Sequence, residues 1–206
     1  MLTLIIVSVG VASVFDAYTS FVTTNTWSTH SATGTFLASE IRELTRRLPK
    51  HDSVTGLEVV GGDLVGWGPE AGEFGPQDFD DLDDFNGLMF AYDGEPFGPG
   101  DLLTLGSRLP GPIDATGSTM DDFSLLGLNL DGEQTPFGWS QFVTVQKVDP
   151  FDFVTVLPNN FQVPPAGTDP GRAVDEYPLR VTVVVHYRDP LQDQPQVVAW
   201  LTWIVP

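Results

Sequence analysis

The chain opens on an uncharged run, Met1 to Phe15 (MLTLIIVSVGVASVF), and Asp16 is the only acid before Glu40. No proline occurs before Pro49. Further on, Phe36, Leu37, Ile41, Leu44 and Leu48 recur at helical spacing, with Glu40, Arg42, Glu43, Arg46 and Arg47 on the other side. The pattern predicts one helix from Met1 to Leu48, about 70 Å long. Arg46 and Arg47 fall in its last turn, where cations suit the helix dipole, and Pro49 stops it. The stretch from Thr19 to Thr35 holds seven threonines, Asn25 and Gly34, all weak helix formers. The helix is therefore expected to be loose there, or ordered only by neighbours.

Beyond Pro49 the pattern changes to turn chemistry. Leu57 to Val60 and Leu64 to Trp67 flank Gly61-Gly62-Asp63 and predict a short hairpin. A long stretch with Gly-Pro steps at Gly68-Pro69, Gly75-Pro76, Gly98-Pro99 and Gly111-Pro112 follows. It is too long for a structureless loop and is expected to pack on a sheet in irregular form. Alternation returns in Trp139 to Val148, and Leu179 to Tyr187 and Val197 to Val205 are the strongest strand signals. The last two, joined across Arg188 to Gln196, predict an antiparallel pair in the middle or at the edge of a sheet. The distal helix can bury Ile41, Leu44 and Leu48 against it. The expected class is α+β, with a helical unit over residues 1–48 and a β-rich head over 49–206. Trp200 and Trp203 should face opposite sides of the last strand, one toward the core and one outward.

Charge narrows the partners. The 206 residues carry 28 acids against 9 bases, a net charge of −19, and only Lys50 and Lys147 are lysines. Such a surface repels nucleic acid, which is excluded as a ligand of the acidic head. There is no cysteine, so thiolate and disulfide chemistry are absent. Asp78, Asp80, Asp81, Asp83 and Asp84 place five carboxylates within seven residues, followed by Asn86. They repel one another unless exposed to water or bridged by a cation. Asp80, Asp81, Asp83, Asp84 and Asn86 are the candidate ligands for Ca²⁺, which takes six to eight oxygens. The EF-hand order is not followed, since Leu82 stands where an acid belongs. A solvated acidic turn is the competing reading. His30, His51 and His186 lie far apart in sequence, and no nucleophile elbow, zinc-protease helix motif or phosphate loop occurs. No catalytic residues are assigned, and a non-enzymatic protein is expected.

Three readings fit the apolar start. It is a few residues short of the roughly 20 that a membrane-spanning helix needs. It lacks the basic opening of a secretory signal peptide, the first base being Arg42. It also suits an assembly helix, apolar enough to sit in a membrane first and in a filament core later. A resemblance bears on the choice. The opening LTLIIVSVGVASVF with the later TFLASEIREL is similar to the apolar helix of type IV pilin-like proteins, the minor pilins and pseudopilins of type II secretion. Phe79 to Gly87 (FDDLDDFNG) resembles an acidic motif of one pilin-like group. Gly138-Trp139, Val143 to Val145, Val148-Asp149-Pro150 and then Arg180 to Val185 resemble two of that group's strands, in order.

The resemblance implies a structural subunit of a pilus-like filament or pseudopilus. Its N-terminal helix is held first in the cytoplasmic membrane and then among the helices of other pilin or pseudopilin subunits. The implied location is the cell envelope, and later a periplasmic or extracellular filament. The residues expected to carry assembly are Leu2, Leu4, Ile5, Ile6, Val7, Val9, Val11, Val14 and Phe15. The family's basic leader and its Glu at the fifth mature position have no counterpart here, so two expectations stand: Met1 is an internal methionine with the true start upstream, or the subunit is a divergent or already processed one that lacks the Glu. The alternative functions are an adhesive or ligand-binding β-domain on a simple signal-anchor that never polymerises, and a calcium-dependent envelope hydrolase, for which the sequence offers no nucleophile.

Overall fold

A computed structural model describes residues 2–94, 106–121 and 136–206, with side chains from residue 9 onward. The Gly98-Pro99 step lies outside the described residues, as do the side chains of Leu2, Leu4, Ile5, Ile6 and Val7. One helix, α1, runs unbroken over Leu2–Thr45. It ends a turn earlier than expected, so Arg46 and Arg47 sit in the turn beyond it. The threonine-rich stretch is helical throughout. Its hydroxyls turn inward: Thr19, Thr23, Thr24, Thr26, Thr29 and Thr35 each donate to the carbonyl four residues back, at 2.8–3.0 Å. This satisfies the side chains without competing for the helix's own N–H groups. No helix among the described residues is long and apolar enough to cross a membrane.

Among the described residues the head carries seven strands. β1 (Glu58–Val60) and β2 (Asp63–Val65) form the antiparallel hairpin, turned by Gly61 and Gly62 at positive φ. β3 (Met89–Ala91), β4 (Arg108–Pro110), β5 (Trp139–Lys147), β6 (Leu179–Tyr187) and β7 (Gln196–Val205) form a second sheet in the order β4-β3-β5-β6-β7. All its pairs are antiparallel except β3 with β4. The irregular connection thus contributes two short strands, β5 takes the middle of the sheet, β6 lies inside it between β5 and β7, and β7 forms one edge.

Alternation decides the faces. Val143 and Val145 on β5, with Val181, Val183 and Val185 on β6, point inward and meet Leu37, Ala38 and Ile41 of α1. Leu44 and Leu48 lie partly buried at the margin of this core. Phe36 departs from the expected stripe and is exposed, because one residue of helix turns it about 100° from Leu37. Glu40 also departs, since its carboxylate accepts the Ala115 N–H at 2.8 Å and is not turned to solvent. Gly34 is buried against β7. A methyl group there would lie 2.9 Å from Val198 Cγ2 and 3.0 Å from Ala199 Cβ, so its lack of a side chain sets how closely the helix approaches the edge strand. Trp200 is 74% exposed, while Trp203 packs against the core, the opposite placement that strand geometry requires. Phe79, Leu82, Phe85, Leu88, Phe90, Leu109 and Ile113 continue the core beyond the helix. The acidic turn is built on this apolar floor.

Candidate metal centre

Within the stretch Phe79 to Gly87, apolar and acidic residues are interleaved, and the fold separates them. Phe79, Leu82 and Phe85 face the core, and residues Asp83–Phe85 form a single 3₁₀ turn. That leaves the carboxylates of Asp81, Asp83 and Asp84 fully buried and Asp80 at the rim. Two residues expected as ligands have other work. Asp83 accepts His51 Nδ1–H on one oxygen and the Gly68 N–H on the other, joining the chain after α1 to the chain after β2. Asn86 accepts the Val145 N–H at 3.0 Å, and the Gly87 N–H donates to the Val143 carbonyl at 2.9 Å, so this end of the turn is stitched to β5.

The remaining acids converge. Asp80, Asp81 and Asp84 are joined by Glu70, from the loop after β2, and one oxygen from each lies within 4.8 Å of the others. This cluster could hold a metal ion. Asp81 turns one oxygen, Oδ1, to the N–H groups of Asp83 and Asp84 at 2.9 and 3.2 Å, while Asp84 Oδ2 accepts the Asp81 N–H at 3.2 Å. These reciprocal bonds fix both carboxylates. Their other oxygens, Asp81 Oδ2 and Asp84 Oδ1, are buried with no hydrogen-bond partner, and so are both oxygens of Glu70. A buried, unpaired carboxylate oxygen is costly, and native structures seldom leave several together.

Protonation is affected accordingly. Burial, then the charge of Asp83, pushes Asp81 up to about 8. Burial and then Asp81 push Asp84 up to about 9. Burial, followed by the neighbouring Glu73 carboxyl, raises Glu70 to about 7. The bare cluster therefore resists full ionisation near neutral pH, and a cation would supply the compensating charge. Glu70 escaped the sequence reading because it lies ten residues ahead of Asp80 and is brought in only by the path of the chain after the hairpin.

The histidines are dispersed. His30 on α1 packs at a tilt against Tyr187 with ring centroids 4.2 Å apart, His51 pairs with Asp83, and His186 stands on the outer face of β6 opposite Ser140 of β5. Of the residues expected to carry assembly, Val9, Val11, Val14 and Phe15 are exposed on α1 and take no part in the metal cluster. No protein-family model matches the chain, no curated protein matches it, and no solved structure matches its fold.

Proposed function

We propose that this chain is a structural, non-enzymatic subunit that assembles with copies of itself or with related subunits through α1, in the manner of the pilin-like proteins its sequence resembles. One observation carries the reading: α1 leaves a row of large apolar side chains in solvent. Val11, Val14, Tyr18 and Phe21 are 51%, 69%, 67% and 70% exposed, and their spacing of three, four and three residues is that of a helix–helix seam. By helical spacing this row lies on the side away from Gly34, Leu37 and Ile41, which meet the sheet. Such a row is stable only when another apolar surface covers it, and parallel helices of like subunits supply one. The membrane stage before assembly and the cell-envelope location belong to the same proposal and draw support from the sequence resemblance.

The test is to place Val14→Asp and, separately, Phe21→Asp in the full chain. Assemblies from native cell envelopes would then be compared by electron microscopy and sedimentation. Neither residue belongs to the head core, so the head should fold normally while incorporation is lost. Normal incorporation of both variants would sink the reading. A wild-type chain that stays monomeric in detergent would bring forward the non-polymerising binding module.

For the acidic cluster we propose calcium as the ion. Its four donors are all carboxylates, the hard oxygen ligands that calcium prefers, and the set contains neither imidazole nor thiolate. Asp80 at the rim leaves room for water to complete a flexible coordination shell.

A further inference from the structure

We infer that a hard divalent cation bound by Glu70, Asp80, Asp81 and Asp84 is a structural tie that fastens the β1–β2 hairpin segment to the head. This rests on the calcium reading above and adds what the ion does. Among the described residues the hairpin pairs with itself alone and belongs to no larger sheet. Glu58, Val60, Asp63 and Val65 are exposed, and Leu57 is its buried anchor. A two-stranded hairpin of three residues a side is not stable in water without support. Support on one flank comes from Asp83, which binds His51 before the hairpin and Gly68 after it. Glu70, two residues further on, carries the other potential tie.

Glu70 reaches the acidic turn with two buried oxygens that nothing in the protein satisfies, opposite the unsatisfied oxygens of Asp81 and Asp84. Without a cation the facing carboxyl oxygens stay buried and unsatisfied, and nothing in the contact holds the two segments together. With one, the same contact becomes a cross-link between chain positions ten and more residues apart. The turn side is rigid, because Asp81 and Asp84 hold each other through the backbone, Asn86 is bonded to β5, and the Leu82 N–H donates to the Pro49 carbonyl at 3.0 Å. The mobile partner is therefore the hairpin side. Loss of the ion should release residues 52–78 while the five-stranded sheet stays formed.

Terbium, a calcium substitute excited through nearby tryptophan, gives the direct probe, since Trp67 lies three residues from Glu70. Full-length protein should sensitise terbium luminescence, and calcium should displace it at free concentrations no higher than about 1 mM. Limited proteolysis of the same protein should cut within residues 52–78 at least about tenfold faster in chelator than in calcium, as expected where local opening governs cleavage. The double variant Glu70→Gln/Asp84→Asn replaces two carboxyls by neutral amides of the same size, so it should fold. It should lose terbium binding and show the same cleavage rate with and without calcium. Absence of terbium binding to the wild-type chain would overturn the ion itself. Binding with unchanged cleavage, or binding retained in the folded double variant, would overturn the tie.

Discussion

Gln141 on β5 and Ile113 in the connecting segment form a closed amide pair: the Ile113 N–H donates to Oε1 at 2.8 Å, and the Ile113 carbonyl accepts from Nε2 at 3.0 Å. The same Nε2 donates to the Leu37 carbonyl of α1 at 2.9 Å. One fully buried side chain thus joins helix, loop and sheet. Gln141→Leu keeps the volume but leaves the N–H and carbonyl of Ile113 without partners in the core. Each orphaned group costs about 1–3 kcal/mol, so the variant should lose about 2–6 kcal/mol in a urea titration. A loss below about 1 kcal/mol would show that the segment around Ile113 moves out to water instead.

Gly34 makes a prediction of opposite local and global sign. Replacement by Leu improves helix propensity by somewhat under 1 kcal/mol. It also drives a side chain into Val198 and Ala199 at a point where even a methyl group stands 2.9 Å from its neighbour. Overpacking should win, with a net loss of about 1–3 kcal/mol and a lower melting temperature. An unchanged or raised melting temperature would mean that β7, as an edge strand, yields to the helix at little cost.

The helix and the strands β5, β6 and β7 could be read because each is long enough for its period to repeat, and the hairpin could be read from Gly61-Gly62. β3 and β4 are three residues each, too short to show any period, and the parallel pairing of Met89 to Ala91 with Arg108 to Pro110 has no local signature. The acidic turn was recognised as a place but not resolved residue by residue. Asp81, Asp83 and Asp84 look alike in the sequence. Only the fold sends Asp83 to His51 and Gly68 while leaving oxygens of Asp81 and Asp84 unpaired. Glu70 and Gln141 are contacts between distant segments, which no spacing rule reports.

The division of labour among the aspartates can be measured. Asp83→Asn weakens the buried hydrogen bonds that this carboxylate accepts from His51 and from the Gly68 N–H, and should cost about 1–3 kcal/mol. Because Asp83 is not among the four converging ligands, calcium affinity of the folded variant should stay within about tenfold of wild type. Glu70→Gln should do the reverse, with a larger loss of calcium affinity and little loss of stability in chelator. Both can be read from calcium titrations and urea unfolding on the same samples. If Asp83→Asn abolished calcium binding while remaining folded, Asp83 would have to be restored to the ligand set.

Lys147 gives the pH dependence. Its side chain is fully buried at the end of β5, where Nζ donates to the carbonyls of Asn159 and Phe161 and lies 5.5 Å from the centre of the Tyr177 ring. Asp175 and Asp83 act on it as opposite charges and Lys50 as a like one, but burial dominates and lowers its pKa to about 8 from the usual 10.5. Between those values the unfolded chain binds the proton and the folded one releases it. Stability therefore rises with pH across this window, by up to about 1.4 kcal/mol per pH unit from this group. Below pH 8 both states carry the charge and the full cost of burying it remains. Lys147→Met removes the titration, so the wild-type chain should gain stability relative to the variant as pH goes from 8 to 10. Urea unfolding at several pH values provides the comparison. Parallel curves for the two proteins would place the ammonium in contact with water and remove the desolvation on which the prediction stands.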